Sequence, residues 1–211
     1  MIIQRMDQYC TEWWDARRGL PTASCADKIL TPTGKLSAQS RQYMNELLAD
    51  RLGFGDEPME PTEWMLRGIE LEPEARGFYE LLTGHAVTQV GFITNDDATA
   101  GCSPDGIIEL PGCGPHGMKG WEVKAPKAST HIGYLLGGGL PDYYKPQVHF
   151  SMAVTGLKEW VFMSYYPGMD PLIVPVQWDE YTETITRAID DFVANLQAAQ
   201  ARLGIELRKA A

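Results

Sequence analysis

The sequence contains no apolar run approaching the roughly 18 residues that a helical membrane span takes. Its opening stretch, MIIQRMDQYC, lacks a long apolar segment and a small-residue cleavage site, so no signal peptide is expected. Cysteine is sparse: Cys10, Cys25, Cys102 and Cys113 are scattered without a pairing pattern, and read as reduced thiols in a cytoplasmic protein rather than a disulfide framework. Cys113 and His116 stand three apart, but a zinc site needs a second such pair and none exists. Internal repeats and low-complexity tracts are absent. At 211 residues, 44% hydrophobic and 22% charged, the chain is not a disordered one. A chain of this length buries roughly 70% of its unfolded surface, so a core forms without staples. One domain over residues 1–211 is expected.

Basic charge is also scarce, with 18 Lys and Arg against 28 Asp and Glu, for a net charge of −10. Taken as a sum, this argues against nucleic acid as a partner. The distribution says more. Residues 52–122 carry 3 basic and 13 acidic side chains, whereas residues 1–51 carry 7 and 6 and residues 123–211 carry 8 and 9. The acidity of the middle block reads either as a solvated face or as carboxylates that hold divalent cations. A bound cation would reverse the local field and admit phosphate.

Helical patterning is expected over 7–18, with Asp7 as cap and Gly19 as stop. A short helix capped by Thr22 should run to Leu30, with further helices over 39–52 and 62–82, the latter kinked or restarted at Pro73. TPTGKLSAQS (31–40) reads as a mobile loop. Strand candidates are VTQVGF (87–92), CSPDGIIEL (102–110), GWEVKA (120–125), WVFMSYYP (160–167) and LIVPVQW (172–178). A helix is expected near 145–155, and a last one, capped by Asp179, to about Leu203. This order implies an α/β fold with a mixed central sheet and helices on its faces.

Chemistry concentrates in SPDG (103–106) and WEVKAP (121–126). Period two places Glu122 and Lys124 on one face of a strand, with Val123 opposite. If the two strands form a hairpin, Asp105 comes near Glu122. Two carboxylates and a main-chain carbonyl suit Mg²⁺. Such an ion activates water and stabilises charge on a phosphoryl oxygen. A lysine beside it can orient or deprotonate that water if its pKa is lowered. A salt-bridged hairpin face explains the same trio equally simply. Glu72 sits one helical turn from Gly68, so its carboxylate could reach the site over a glycine, or else belong to an exposed acidic face with Glu70 and Glu74. Gln147 could hold a water near the metal or lie on a plain helix surface. In EWWDARRGLPTAS, Arg17 or Arg18 with Thr22 and Ser24 near a helix start can bind phosphate, or simply cap a helix. Trp13 and Trp14 are core candidates, with a nucleotide stack as the alternative for one of them.

Taken in order, WWDARRGLPTAS, RGIELEPEA, CSPDG, EVKAP and QVHFSMAVT span residues 13–155 and resemble the lambda-type phage alkaline exonucleases, the viral recombinase branch of the PD-(D/E)XK nucleases. The resemblance implies a restriction-endonuclease-like core and a 5′→3′ exonuclease on linear duplex DNA. Such an enzyme leaves a 3′ single strand for a phage single-strand annealing protein in recombination. It implies that Asp105, Glu122 and the Val123 carbonyl hold Mg²⁺ (or Mn²⁺), with Asp105 bridging to a second ion. Lys124 would act on the water, Glu72 would support it, and Gln147 would help position the same groups. Arg17, Ser24 and Ser103 would bind the terminal 5′-phosphate; Arg17 rather than Arg18 has the matching spacing before TAS. The resemblance further implies a homotrimeric ring around DNA, acting in the cytoplasm of a bacterial host from a phage or prophage gene. A ring needs positive charge only on its channel, which accommodates an acidic exterior. Three features depart from the pattern or have no role in it: His149 beyond Gln147, Pro73 directly after Glu72, and Cys113 with His116. The competing readings are an endonuclease or opposite-polarity nuclease of the same fold, and a non-catalytic DNA-binding assembly protein.

Overall fold

The computed structural model describes residues 1–55, 62–110 and 117–204; Cys113 and His116 lie outside them. The order of elements is β1 (Ile2–Gln4), α1 (Thr11–Arg17), a 3₁₀ segment (Ala23–Lys28), α2 (Ser40–Leu52), α3 (Glu63–Thr83), β2 (Val87–Thr88), β3 (Phe92–Thr94), β4 (Gly101–Cys102), β5 (Gly106–Glu109) and β6 (Met118–Lys124). Then come α4 (Ala128–Gly137), a 3₁₀ turn (Asp142–Tyr144), α5 (Lys145–Thr155), β7 (Glu159–Ser164), β8 (Leu172–Gln177) and α6 (Glu180–Arg202).

Five strands form a mixed sheet in the order β2-β5-β6-β7-β8. β6 pairs in parallel with β7, and the other neighbours pair antiparallel. Parallel pairing requires a crossover, and α4 and α5 supply it between β6 and β7. Alternation sends Trp121, Val123, Val161 and Met163 to one face, where Ala75 and Tyr79 of α3 cover them. Trp160 and Phe162 face the other way, into the larger core with α2, α5 and α6. Glu122 and Lys124 share that second face, so a polar pair is turned toward α5. A smaller antiparallel sheet, β1-β3-β4, carries the N-terminal segment.

Helix ends follow local chemistry. Asp179 Oδ1 accepts from the Thr182 N–H at 2.9 Å while Thr182 Oγ1 accepts from the Asp179 N–H at 3.2 Å, a reciprocal cap on α6. Gly156, at φ 73°, closes α5 in the left-handed conformation that favours glycine.

Several sequence expectations change. α1 starts at Thr11 rather than Asp7, because Tyr9 at φ 70° cannot belong to a right-handed helix. Thr22 makes no side-chain cap; its N–H donates to the Tyr43 hydroxyl and its backbone bridges to Gly101. α3 runs unbroken through Pro73, held by a Thr62 cap at its start and by Ala75 and Tyr79 packed on the sheet. The 31–40 segment folds back on itself through a Leu30–Leu36 bridge and a 2.8 Å bond from the Thr31 N–H to the Lys35 carbonyl. VTQVGF divides between β2 and β3, which belong to different sheets. CSPDGIIEL likewise divides between β4 and β5. β1 and α4 had no counterpart in the sequence reading.

Candidate active site

The hairpin of β5 and β6 builds the site. The pair at its open end is Gly106 with Trp121, so Asp105 stands just before β5 begins, opposite Glu122. The Val123 N–H donates to Asp105 Oδ2 at 2.7 Å. The Lys124 carbonyl accepts from Tyr165 on the β7 side. Alternation therefore turns the Val123 carbonyl to the Asp105 edge, beside its own N–H. Glu122 is almost fully buried, and its Oε1 accepts from both Lys124 Nζ and Gln147 Nε2 at 2.5 Å. Gln147 reaches it from α5. Asp105, Glu122, Val123, Lys124 and Gln147 are thus brought together.

Glu72 comes in from α3, and its charge is felt at Asp105. Its Oε1 accepts from Arg76 at 3.0 Å and Gln89 at 3.2 Å, two partners that the sequence reading missed. Gly68 is not needed for this approach, since a Cβ there would meet no heavy atom within 4 Å. Tyr144, whose ring centre lies 5.5 Å from Lys124 Nζ, was also missed. His149 belongs elsewhere: it is buried between α5 and α6 with Nδ1 2.7 Å from Thr182 Oγ1.

The electrostatics favour a cation beside these carboxylates. Burial, then the Glu122 carboxylate, raises the Asp105 pKa well above the usual carboxylate range. Burial alone would lower the Lys124 pKa, but the Glu122 and Asp105 carboxylates outweigh it and hold the ammonium above the ordinary lysine range. These two carboxylates therefore favour the charged form of Lys124. Each of the two carboxylates keeps one oxygen to which no described residue donates. Among the described residues, no cluster of three or more His, Cys, Asp and Glu side chains forms a metal cage. Two close, dehydrated carboxylates and a convergent carbonyl nevertheless fit a hard cation that retains waters.

One consequence is measurable. A carboxyl whose folded pKa is raised contributes stability at low pH and loses it as pH rises through that pKa. Adding Mg²⁺ should therefore raise the melting temperature over that in EDTA, with a gain that grows from pH 5 to pH 8. At a hundredfold excess over Kd the linkage is about 2.7 kcal/mol. A calorimetric gain independent of pH would contradict this.

A second group lies on the same connector. Arg17 Nη1 donates to Ser103 Oγ at 2.8 Å and Nη2 donates to Ser24 Oγ at 3.0 Å. The Trp13 indole N–H also donates to Ser103 Oγ, at 2.9 Å, and the guanidinium lies 4.2 Å over the Trp13 ring. Burial lowers the Arg17 pKa from its ordinary value. Among the described residues Arg17 has no ion-pair partner. A half-buried guanidinium flanked by two hydroxyls and lacking a carboxylate can receive an anion. Arg18, by contrast, is exposed and paired with Asp15 at 3.2 Å. Trp13 is buried, as the sequence implied; Trp14 is exposed rather than core.

Comparison with known proteins gives these features a setting. The model of the YqaJ-like viral recombinase domain matches residues 12–158. An alkaline exonuclease (LHK-Exo) from Laribacter hongkongensis is similar in structure, with a TM-score of 0.77 and 32% identity over 92% of this chain and 96% of that one. Its complex with dAMP matches with a TM-score of 0.71 and 29% identity over 92% of this chain and 98% of that one. A phage-related exonuclease from Haemophilus somnus 129PT shares the fold, with a TM-score of 0.58 at 14% identity over 86% of this chain and 96% of that one. No curated protein matches.

Proposed function

Since this chain belongs to the YqaJ-like viral recombinase domain family, we propose that it is a Mg²⁺-dependent 5′→3′ exonuclease that degrades one strand of linear duplex DNA. Residues 1–211 act as one exonuclease domain. The likeness to an alkaline exonuclease at 32% identity supports deoxyribonuclease activity. The observation that carries the polarity is the Arg17–Ser24–Ser103 group beside the carboxylates: an anion receptor within one short connector of a cation site fits a 5′-phosphorylated end.

Asp105, Glu122 and the Val123 carbonyl would hold the cation, and Asp105 would also be available to a second ion. Mn²⁺ serves the same donors. When bound, the ion supplies an activated water and neutralises charge developing on the phosphoryl oxygens. Lys124 and Gln147 fix Glu122 Oε1 by donating to it, which leaves Oε2 available to hold a cation. Lys124, held beside Glu122 by its bond to Oε1, would orient the attacking water. Glu72, restrained by Arg76 and Gln89, supports that water. Arg17, Ser24 and Ser103 orient the terminal phosphate so that the next phosphodiester meets the carboxylates.

The product is a 3′ single strand suited to a phage single-strand annealing protein. A homotrimeric ring reconciles an acidic exterior with DNA binding, because only the channel needs to be basic. The exposed Trp64, Met65 and Leu66 at the start of α3 offer apolar surface for assembly. Among the described residues no helix is long and apolar enough to cross a membrane, and the proposed setting is the cytoplasm of a bacterial host.

The test is a linear duplex labelled at the 5′ or the 3′ end of one strand, with a closed circle as control. Early release of the 5′ label and an intact circle are expected. Arg17→Ala should lower kcat/KM on 5′-phosphorylated ends by roughly 100-fold, the worth of a charge-assisted bidentate contact. The same variant should barely change the rate on 5′-hydroxyl ends. A cut circle, or equal loss on both ends, would move the assignment to an endonuclease. Binding of DNA without cleavage would move it to an assembly protein.

A further inference from the structure

The turn before α1 lies over both halves of the site. Gln8 Nε2 donates to the carbonyls of Val90 and Pro104, each at 3.0 Å, and so ties the turn to the residue preceding Asp105. Tyr9 follows at φ 70°, a region that glycine enters freely and a bulky aromatic residue avoids. Such strain persists where the surroundings over-determine it, and it clusters at ligand sites. Pinned in this way, the Tyr9 ring stands 5.0 Å from that of Trp13, the residue that supports Ser103, and is 48% exposed. The same Trp13 ring lies 4.2 Å from the Arg17 guanidinium. Burial raises the Tyr9 pKa, the Asp105 and Glu72 charges add to the rise, and Lys124 and Arg17 oppose it. The phenol therefore lies in the field of both the carboxylate group and the phosphate receptor, and keeps its proton. Among the described residues it has no hydrogen-bond partner.

We propose that Tyr9 contacts the substrate, its hydroxyl donating a hydrogen bond to a phosphate oxygen of the terminal nucleotide between the Arg17 pocket and the Asp105–Glu122 pair. This rests on the exonuclease reading above. That nucleotide presents two phosphates to the cleft, the terminal one and the scissile one. A neutral donor suits either. It adds a hydrogen bond in a place where a further cation would pair with Asp105 or Glu72 and a further carboxylate would repel DNA.

Tyr9→Phe removes only the hydroxyl, and Tyr9→Gly removes the side chain while accepting φ 70° without strain. Both variants should melt no lower than the unmodified protein, so a loss of function is not a loss of folding. With Tyr9→Phe, KM on 5′-phosphorylated ends should rise about tenfold if the contact is to the terminal phosphate, with 5′-hydroxyl ends unaffected. If the contact is to the scissile phosphate, kcat should fall by a similar factor on both ends. Either pattern upholds the proposal, and Tyr9→Gly should then lose at least as much. Kinetics within twofold of the unmodified protein for Tyr9→Phe would overturn it. Anisotropy of a fluorescent 5′-phosphorylated duplex, with Ca²⁺ replacing Mg²⁺, separates this result from the activity assignment. Should the unmodified chain bind ends without cutting them, the exonuclease reading fails, and a tenfold weaker Kd for Tyr9→Phe still upholds the contact while an unchanged Kd overturns it. A chain that neither binds nor cuts ends refutes both.

Discussion

Asp105→Asn is expected to yield a protein that melts higher than the unmodified one in EDTA at pH 8, yet cleaves linear duplex DNA roughly 1000-fold more slowly, a loss of about 4 kcal/mol in transition-state stabilisation. The two effects have one cause. Asp105 is half-buried beside the buried Glu122, with a raised pKa, so ionising it at pH 8 costs folding free energy. An asparagine is uncharged, and its carbonyl oxygen still accepts the Val123 N–H that Asp105 Oδ2 accepts. It therefore keeps the hairpin closed and removes the repulsion. What it cannot do is lend a negative charge to a cation. A stabilising substitution that abolishes turnover is the signature of a site strained for function. The measurement is calorimetry with and without Mg²⁺, paired with release of an end label. A variant less stable than the unmodified protein in EDTA would show that Asp105 is mainly structural, and retained cleavage would remove it from the metal site.

The second large effect concerns a residue without a side chain. Gly120 pairs in register with Trp160 across the parallel β6–β7 junction. A Cβ on Gly120 would overlap the Trp160 indole, which is itself buried. The ring has no room to retreat, so Gly120→Ala should destabilise the fold by about 3 kcal/mol, the upper part of the usual range for overpacking. For a chain of this size that is roughly 10 °C in melting temperature. Gly133→Ala is the matched control. It sits in α4 with open space around its Cβ, and there alanine should stabilise by about 0.5–1 kcal/mol. Equal melting temperatures for the two variants would refute this account of the β6–β7 packing. Because Glu122 lies two residues along from Gly120, any strand shift that accommodates the methyl would also displace the carboxylate from Gln147.

What could be read from the chain divides along physical lines. Asp105, Glu122 and Lys124 were legible because strand alternation and a hairpin fix relative position without knowledge of the rest. Gln147 and Glu72 needed the resemblance, since a helix periodicity says which face a residue occupies but not what that face meets. Arg17 was separated from Arg18 only by the spacing that the resemblance matched; in the structure one bonds to two serines and the other is paired with Asp15 at the surface. The elements that escaped are those whose stability is not local. β1 is three residues long and exists through pairing with β3, some ninety residues away. α4 carries two glycines and a weak cap, and is fixed by His131, buried, whose ring bonds to Ser164 and to the Asp170 carbonyl. The break between β4 and β5 was hidden inside one apolar run because Ser103, Pro104 and Asp105 leave the sheet to serve the site. Tyr9 escaped for a different reason: a tyrosine in a left-handed turn contradicts its own propensity, and only long-range bonds from its neighbour Gln8 explain it.

That short break has a metrical consequence. On the proposed reading Ser103 serves the anion receptor and Asp105 the cation site, and only Pro104 lies between them. Two peptide units span at most about 7 Å, and proline removes one of the few torsions by which the interval might vary. In the exonuclease proposed above, the interval from gripped phosphate to cut bond would thus be bounded by covalent geometry, not by the pose of a domain or the closing of a loop. Ser103-Pro104-Asp105 would then serve as a gauge, graduated for a single nucleotide.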